Sequence, residues 1–174
     1  MTTVAHPDMA LWFRVQAFLT REARLLDDQE LSEWLSLFTD DLRYWMPVIT
    51  NRVGRDRGKE ITPFGAVAHF DDDKTSLSNR VKRLQTGMAW AETPPSRTRH
   101  LIGNVEILNM QPDGELEVRS NFLVYRSHLE YDHEIFSGYR LDFLRPHEDQ
   151  WKVRRRDIIL DQSVVTQKNL GLFF

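Results

Sequence analysis

The stretch "PPSRTRHLIGNVEI", residues 94–107, decides the fold of this chain. Its paired prolines, Pro94 and Pro95, cannot lie inside a helix, because each lacks an amide hydrogen and clashes with the turn before it. Beyond them Leu101, Val105 and Ile107 share one phase while His100, Ile102, Asn104 and Glu106 share the other, the two-residue period of a strand. A helix therefore ends before residue 94, and an extended segment from Thr98 to Asn109 begins after it. Arg99 and His100 stand at its head, which raises the question of whether they do chemistry or merely begin a strand.

Three more extended segments follow, Glu115 to His128, Glu134 to Arg145 and Trp151 to Asp161. "PDG" at residues 112–114 is a strong turn signal, and "LEYDHE" and "PHEDQ" are polar connections of similar length, so the four segments read as an antiparallel meander. One buried face is expected to carry Leu101, Val105 and Ile107, then Leu116, Val118, Phe122 and Val124, then Ile135, Tyr139, Leu141 and Phe143. In the last segment Trp151 and Val153 are odd while Ile158 and Leu160 are even, which predicts a bulge near "RRRD" that bends the sheet.

Upstream, Trp12, Val15, Leu19, Ala23 and Leu26 recur at helical spacing, widened by Leu11, Phe18 and Leu25. "DDQE" offers Asp27 as a cap with Glu30 three residues on, ahead of a short second helix through Leu31, Trp34, Leu35 and Phe38. "DLRYWMPVI" alternates Leu42, Tyr44, Met46 and Val48 and reads as a strand that Pro47 confines to an edge or a bulge. "NRVGRDRGKEITP" holds four basic residues, Arg52, Arg55, Arg57 and Lys59, with two glycines; it reads as a loop, either a solvated connection or a docking loop for a partner. "DDDK" caps a third helix whose buried row is Leu77, Val81, Leu84 and Met88, ended by Gly87 and the prolines. Helices first and a long curving sheet after them give an α+β fold, a single domain over residues 1–174 in which the sheet wraps the helices as a cone with a concave face.

Composition supports one well-packed core: 41% of residues are hydrophobic, with 5 Trp and 10 Phe, enough apolar surface to offset the entropy of ordering the chain. A net charge of −3 supplies no field for gathering nucleic acid or an acidic membrane. No apolar run approaches the ~20 residues of a membrane helix, and the start "MTTVAHPDM" lacks the regions of a signal peptide, so a cytoplasmic protein is expected. With 0 Cys the chain supplies no thiolate nucleophile, disulfide or cysteine-ligated iron–sulfur or zinc site. Neither a "GxSxG" nucleophile elbow, a P-loop nor a Gly-rich dinucleotide fingerprint is present.

Four candidate features remain. In "HLEYDH", Asp132 lies between His128 and His133, but a five-residue separation puts the two rings on opposite faces of a strand, so only a turn would bring them together on a metal. His100, beside a cavity carboxylate or hydroxyl from Asp40, Asp41 or Tyr44, would make an acid–base site of the kind found in cone-shaped dehydratases and isomerases. The alternative is structural: Arg97, Arg99 and His100 begin a strand and make polar contacts at or near a subunit interface. The run Arg154 to Arg156 alternates across a strand and reads as ion-pairing rather than nucleic-acid binding. Lastly, Leu172, Phe173 and Phe174 in "NLGLFF" are costly to leave in water, and burial is expected against this domain or another subunit.

Taken together, "DLRYWMPV", "DDDKTSLSNRVKRLQTGMAWAETPPSRTRHLIGNV", "FLVYRSHLE" and "NLGLFF" resemble the small, or beta, subunit of aromatic ring-hydroxylating dioxygenases of the biphenyl and naphthalene type, over nearly the whole chain and most specifically at residues 89–105. The resemblance implies a cone similar to nuclear transport factor 2, scytalone dehydratase and ketosteroid isomerase. It further implies a non-catalytic structural subunit, three copies of which associate with three large subunits. The large subunit would carry a Rieske [2Fe–2S] cluster and a mononuclear iron that convert an arene to a cis-dihydrodiol, with electrons supplied by a ferredoxin and a reductase. No catalytic, cofactor-binding or metal residue is expected in this chain. The competing readings are a free-standing cone-fold dehydratase or isomerase using a cavity Asp, Tyr or His, and a small-ligand binding module.

Overall fold

The computed structural model describes residues 8–50, 60–86, 94–162 and 171–174. Three helices are followed or interrupted by six strands: α1 Met9–Asp27, α2 Leu31–Ser36, β1 Phe38–Pro47, β2 Ala68–Asp72, α3 Lys74–Gln85, β3 Arg97–Met110, β4 Leu116–His128, β5 Asp132–His147 and β6 Gln150–Leu160. The four meander strands lie where alternation places them. All six strands form one sheet in the order β2-β1-β6-β5-β4-β3. Every pairing is antiparallel except β1 with β6, which is parallel.

The helices fill the concave side. α1 buries Val15, Phe18, Leu19, Ala23, Leu25 and Leu26, and crosses the sheet from β3, where Trp12 Nε1 donates to the Val105 carbonyl at 3.0 Å, to β6, where Phe18 meets Trp151 edge-on. Asp73 accepts from the Ser76 amide and starts α3, which buries Leu77 and Val81. The Met88 and Gly87 expectations, and the basic loop at 51–59, lie outside the described residues.

Two irregularities turn the strands. Between β5 and β6 the register slips from Phe143 opposite Arg155 to Leu144 opposite Val153, so Arg154 is the extra residue. The predicted bulge is therefore present, and it swings Arg156, Ile158 and Leu160 onto the concave face that Trp151 and Val153 occupy before it. A second slip in β3, between Gly103 and Glu106, includes Asn104 at φ 50° and moves the inward phase from His100 and Ile102 to Val105 and Ile107. Pro47 sits at another register shift, against β2.

Several expectations are corrected. Leu101 faces out and is 59% exposed, while His100 faces in. On β5 the phase is reversed throughout: Phe136, Gly138, Arg140, Asp142 and Leu144 face inward, whereas Ile135 is exposed and Tyr139, Leu141 and Phe143 are half-buried on the convex side. Asp27 is the last residue of α1 and does not cap α2, whose first turn follows Glu30 without a side-chain cap. Strand β2 was not foreseen, because only Phe70 and Asp72 of its five residues are buried and it carries no readable alternation.

Candidate functional site

The interior of the cone is where an enzyme of this shape would hold its substrate, and here it is occupied by charge and by aromatic rings from the chain itself. Glu22 of α1 occupies a position on the apolar stripe, between Leu19 and Leu25, so the helix drives a carboxylate into the core. Strand pairing sets Ser120 of β4 beside Arg140 of β5, and Asp142 of β5 beside Arg156 of β6. Arg140 donates to Glu22 at 2.8 Å and to Ser120 at 3.3 Å. Arg156 grips Asp142 at 2.6 and 3.2 Å and Glu22 at 2.9 Å through Nη2, with a further short bond from Nη1 to Glu22. Trp34 Nε1 completes the shell of Glu22 at 3.1 Å.

Two carboxylates and two guanidiniums thus cancel in a site with essentially no solvent exposure. Burial pushes the Glu22 pKa up, but the charges of Arg140 and Arg156 and the hydrogen bonds of Arg156 and Trp34 outweigh it and hold the carboxyl at about 2. Burial opposes the charge of Arg156, yet Asp142 and Glu22 shift its pKa upward. Both carboxylates are saturated with donors, so neither is available as a general base.

Tyr44 and the segment Gly171–Phe174 finish the interior. The Tyr44 hydroxyl accepts from the Phe174 amide at 2.8 Å and donates to the Phe174 main-chain oxygen at 2.9 Å, and Arg156 Nη1 donates to that oxygen at 2.9 Å. Burial raises the pKa of the Tyr44 hydroxyl, keeping it neutral. The Phe173 ring stacks on Trp34 at 4.6 Å, and Phe174 lies 5.5 Å from both Phe122 and Phe136. The expected burial of Leu172, Phe173 and Phe174 is against this chain's own core.

His100 lies at the mouth of the cone. Its Nδ1 is 2.6 Å from Asp27 Oδ1, and Nε2 donates to the Phe173 carbonyl at 3.0 Å. A carbonyl only accepts, so Nε2 carries hydrogen and offers no lone pair to a substrate. Asp27 also receives the His100 amide, the Thr98 hydroxyl and Arg99, whose side chain is otherwise exposed. His100 begins the strand and makes hydrogen bonds as expected, with a buried ring that binds Asp27 and Phe173. A cavity of about 110 Å³ opens here, walled by Leu26, Leu31, His100, Arg126, Leu172 and Phe173. It is well below the roughly 300–1,000 Å³ of ligand pockets.

The other candidates do not gather into one site, although His128 Nδ1 comes within 3.9 Å of Asp132 Oδ2. Asp41 lies on the outside, where hydrogen bonding to Arg145 lowers its pKa, and Asp40 is exposed; of the proposed cavity groups only Tyr44 faces inward. His128 Nε2 meets the Pro94 carbonyl at 2.9 Å, while His133 is exposed near Tyr125 and Ser127. Among the described residues no group of three or more His, Asp or Glu is placed to hold a metal ion. A Rieske centre needs two thiolates, and a chain with 0 Cys does not fit one. In the Arg154–Arg156 run, Arg154 pairs with Glu115 and Arg155 with Asp157 on the outside, and only Arg156 turns inward. The run does form ion pairs: Arg155 pairs along β6 with Asp157, as expected, while Arg154 and Arg156 reach residues of other elements.

The convex face carries a different feature. Leu101 is paired with Leu123, and Tyr125 with Ile135, on the adjacent strands β3, β4 and β5; all four are at least 40% exposed.

A family profile described as "Ring hydroxylating beta subunit" matches residues 21–167. The chain belongs to this family. It is 40% identical over 166 residues to the benzene 1,2-dioxygenase subunit beta of Pseudomonas putida, covering 94% of this chain and 89% of that one. The naphthalene 1,2-dioxygenase structure with indole bound superposes with a TM-score of 0.85 at 24% identity, covering 99% of this chain and 89% of that chain. A protein of Novosphingobium aromaticivorans ascribed to the scytalone dehydratases superposes with a TM-score of 0.64 at 16% identity over 88% of this chain and 86% of its own. The cone fold is thus shown, and the chain is a beta subunit of an aromatic ring-hydroxylating dioxygenase. Sequence patterning alone missed Glu22, Arg140 and Asp142. The legible signal was the acidic residue on the apolar stripe of α1, since a carboxylate there is buried only with a cationic partner.

Proposed function

We propose that this chain is the structural, non-catalytic subunit of a terminal oxygenase, and that cis-dihydroxylation of an arene takes place on a large subunit carrying the Rieske cluster and the mononuclear iron. The observation that carries this reading is the interior: the volume a cone-fold enzyme gives to its substrate is filled by Phe173, Phe174 and a neutral, donor-saturated charge cluster. That filling also counts against a free-standing dehydratase and against a ligand-binding module. The exposed apolar patch at Leu101, Leu123, Tyr125 and Ile135 is the kind of surface that subunits leave bare when isolated. An assembly of three large and three small subunits in the cytoplasm, fed by a ferredoxin and a reductase, completes the proposal.

The test is co-expression with a large subunit of this oxygenase family, followed by native mass, iron content and arene oxidation of the complex and of each chain alone. Iron and turnover confined to complexes containing the large subunit support the reading. Stoichiometric iron or product formation from this chain alone refutes it.

A further inference from the structure

The segment Gly171–Phe174 is held in an unusual way. It belongs to no strand or helix, and among the described residues none of its main-chain groups bonds to another main-chain group outside a regular element. Its polar contacts are instead with side chains: Tyr44 to both the amide and oxygen of Phe174, Arg156 to the same oxygen, and His100 to the carbonyl of Phe173. Its two rings lie against Trp34, Phe70, Phe122 and Phe136, all belonging to other elements. A shell of side chains that supplies two aromatic slots and three donors to carbonyl oxygens is how a protein holds a ligand rather than a strand.

The shell is also positioned without help from the segment. Arg156 is fixed by Glu22 and Asp142, His100 by Asp27, and Trp34 by its bond to Glu22. Groups held in place by their neighbours do not need their guest in order to be oriented, which lowers the cost of binding it.

We infer that the interior of the cone is a binding site for a short peptide bearing two adjacent aromatic side chains and their carbonyls, filled in cis by Leu172, Phe173 and Phe174. The site accepts the same chemistry in trans once its own occupant is cut back. The inference goes beyond the assembly role and stands without it, since the site lies wholly within this chain.

The experiment uses the full-length chain carrying L172G, F173G and F174G together. Circular dichroism, thermal unfolding and tryptophan fluorescence are followed during titration with N-acetyl-Leu-Phe-Phe, with N-acetyl-Leu-Ala-Ala as control. The variant is expected to melt roughly 10 °C or more below the parent, as large-to-small core changes in a chain of this size imply. The diaromatic peptide should restore at least half of that loss saturably, quench or shift the emission attributable to Trp34, and leave the parent unaffected, while the alanine peptide does nothing. A folded variant that melts with the parent, or one that the diaromatic peptide does not stabilise, overturns the inference. Should the triple variant stay unfolded, folding on addition of the diaromatic peptide supports the site; if it stays unfolded with peptide too, F174A decides. Toluene must then raise the melting temperature of F174A and not that of the parent, and no selective rise overturns the inference.

Discussion

Replacing Glu22 by Gln tests the buried charge cluster most directly, because the substitution keeps shape and hydrogen-bonding capacity and removes only a charge. In the parent, Glu22 and Asp142 balance Arg140 and Arg156; in E22Q one carboxylate faces two guanidiniums, leaving one uncompensated positive charge with no solvent to screen it. Removing one partner from a buried pair costs about 3–5 kcal/mol. For a chain of 150–250 residues each kcal/mol moves the melting temperature by about 2–4 °C, so a fall of roughly 10 °C is expected at pH 7. The pH dependence adds a second readout. The carboxyl is held at about 2 in the fold against an ordinary 4.5, so its contribution is fully present above pH 4.5 and is lost as the pH falls toward 2. The gap between parent and E22Q should therefore narrow across that window. Urea unfolding followed by tryptophan emission at several pH values measures it. An E22Q protein within about 1 °C of the parent at pH 7, or a gap that stays constant into acid, would refute the electrostatic account.

Two further substitutions bracket this effect. Gly138 lies at a close approach: a Cβ added there would sit 2.1 Å from the Ile159 carbonyl oxygen and 2.9 Å from Phe122, so G138A should destabilise by about 1–3 kcal/mol or more, and unchanged urea unfolding would contradict the packing of β5 on β6. By contrast, the Arg145 pair with Asp41 is half-exposed on the convex side, so R145A should change stability by only about 0–1 kcal/mol, and a larger loss would show that this pair is shielded from solvent in the isolated chain.

Much of the architecture was legible because the signals were local. Strand β3 begins at Arg97, just after Pro94 and Pro95, the "PDG" turn places Gly114 at φ 86°, and the odd-to-even phase change in the last strand marks the bulge at Arg154. Each depends on neighbouring residues alone. The family was legible for the same reason, since residues 89–105 carry a long specific string. Burial on β5 was not legible: alternation assigns Tyr139, Leu141 and Phe143 to the core and Arg140 and Asp142 to water, and the fold does the reverse. A charged pair goes inward only when other elements deliver counter-charges, here Glu22 from α1 and Arg156 from β6, and no periodicity within β5 reports on them.

His100 makes the same point. Its strand was evident, but the direction of its ring depended on the slip at Asn104, and its role depended on Asp27 and Phe173, each more than 70 residues away in sequence. Likewise, that Leu172, Phe173 and Phe174 must be covered follows from their apolar surface, whereas what covers them is decided by the cone that Tyr44, Trp34 and Arg156 line. Alone, the sequence determined the order of the elements, the turns, the lack of thiolate chemistry and the family. Only the tertiary structure decided which side of the sheet is inside, because that choice is made by summing burial and charge over strands and helices that are distant along the chain.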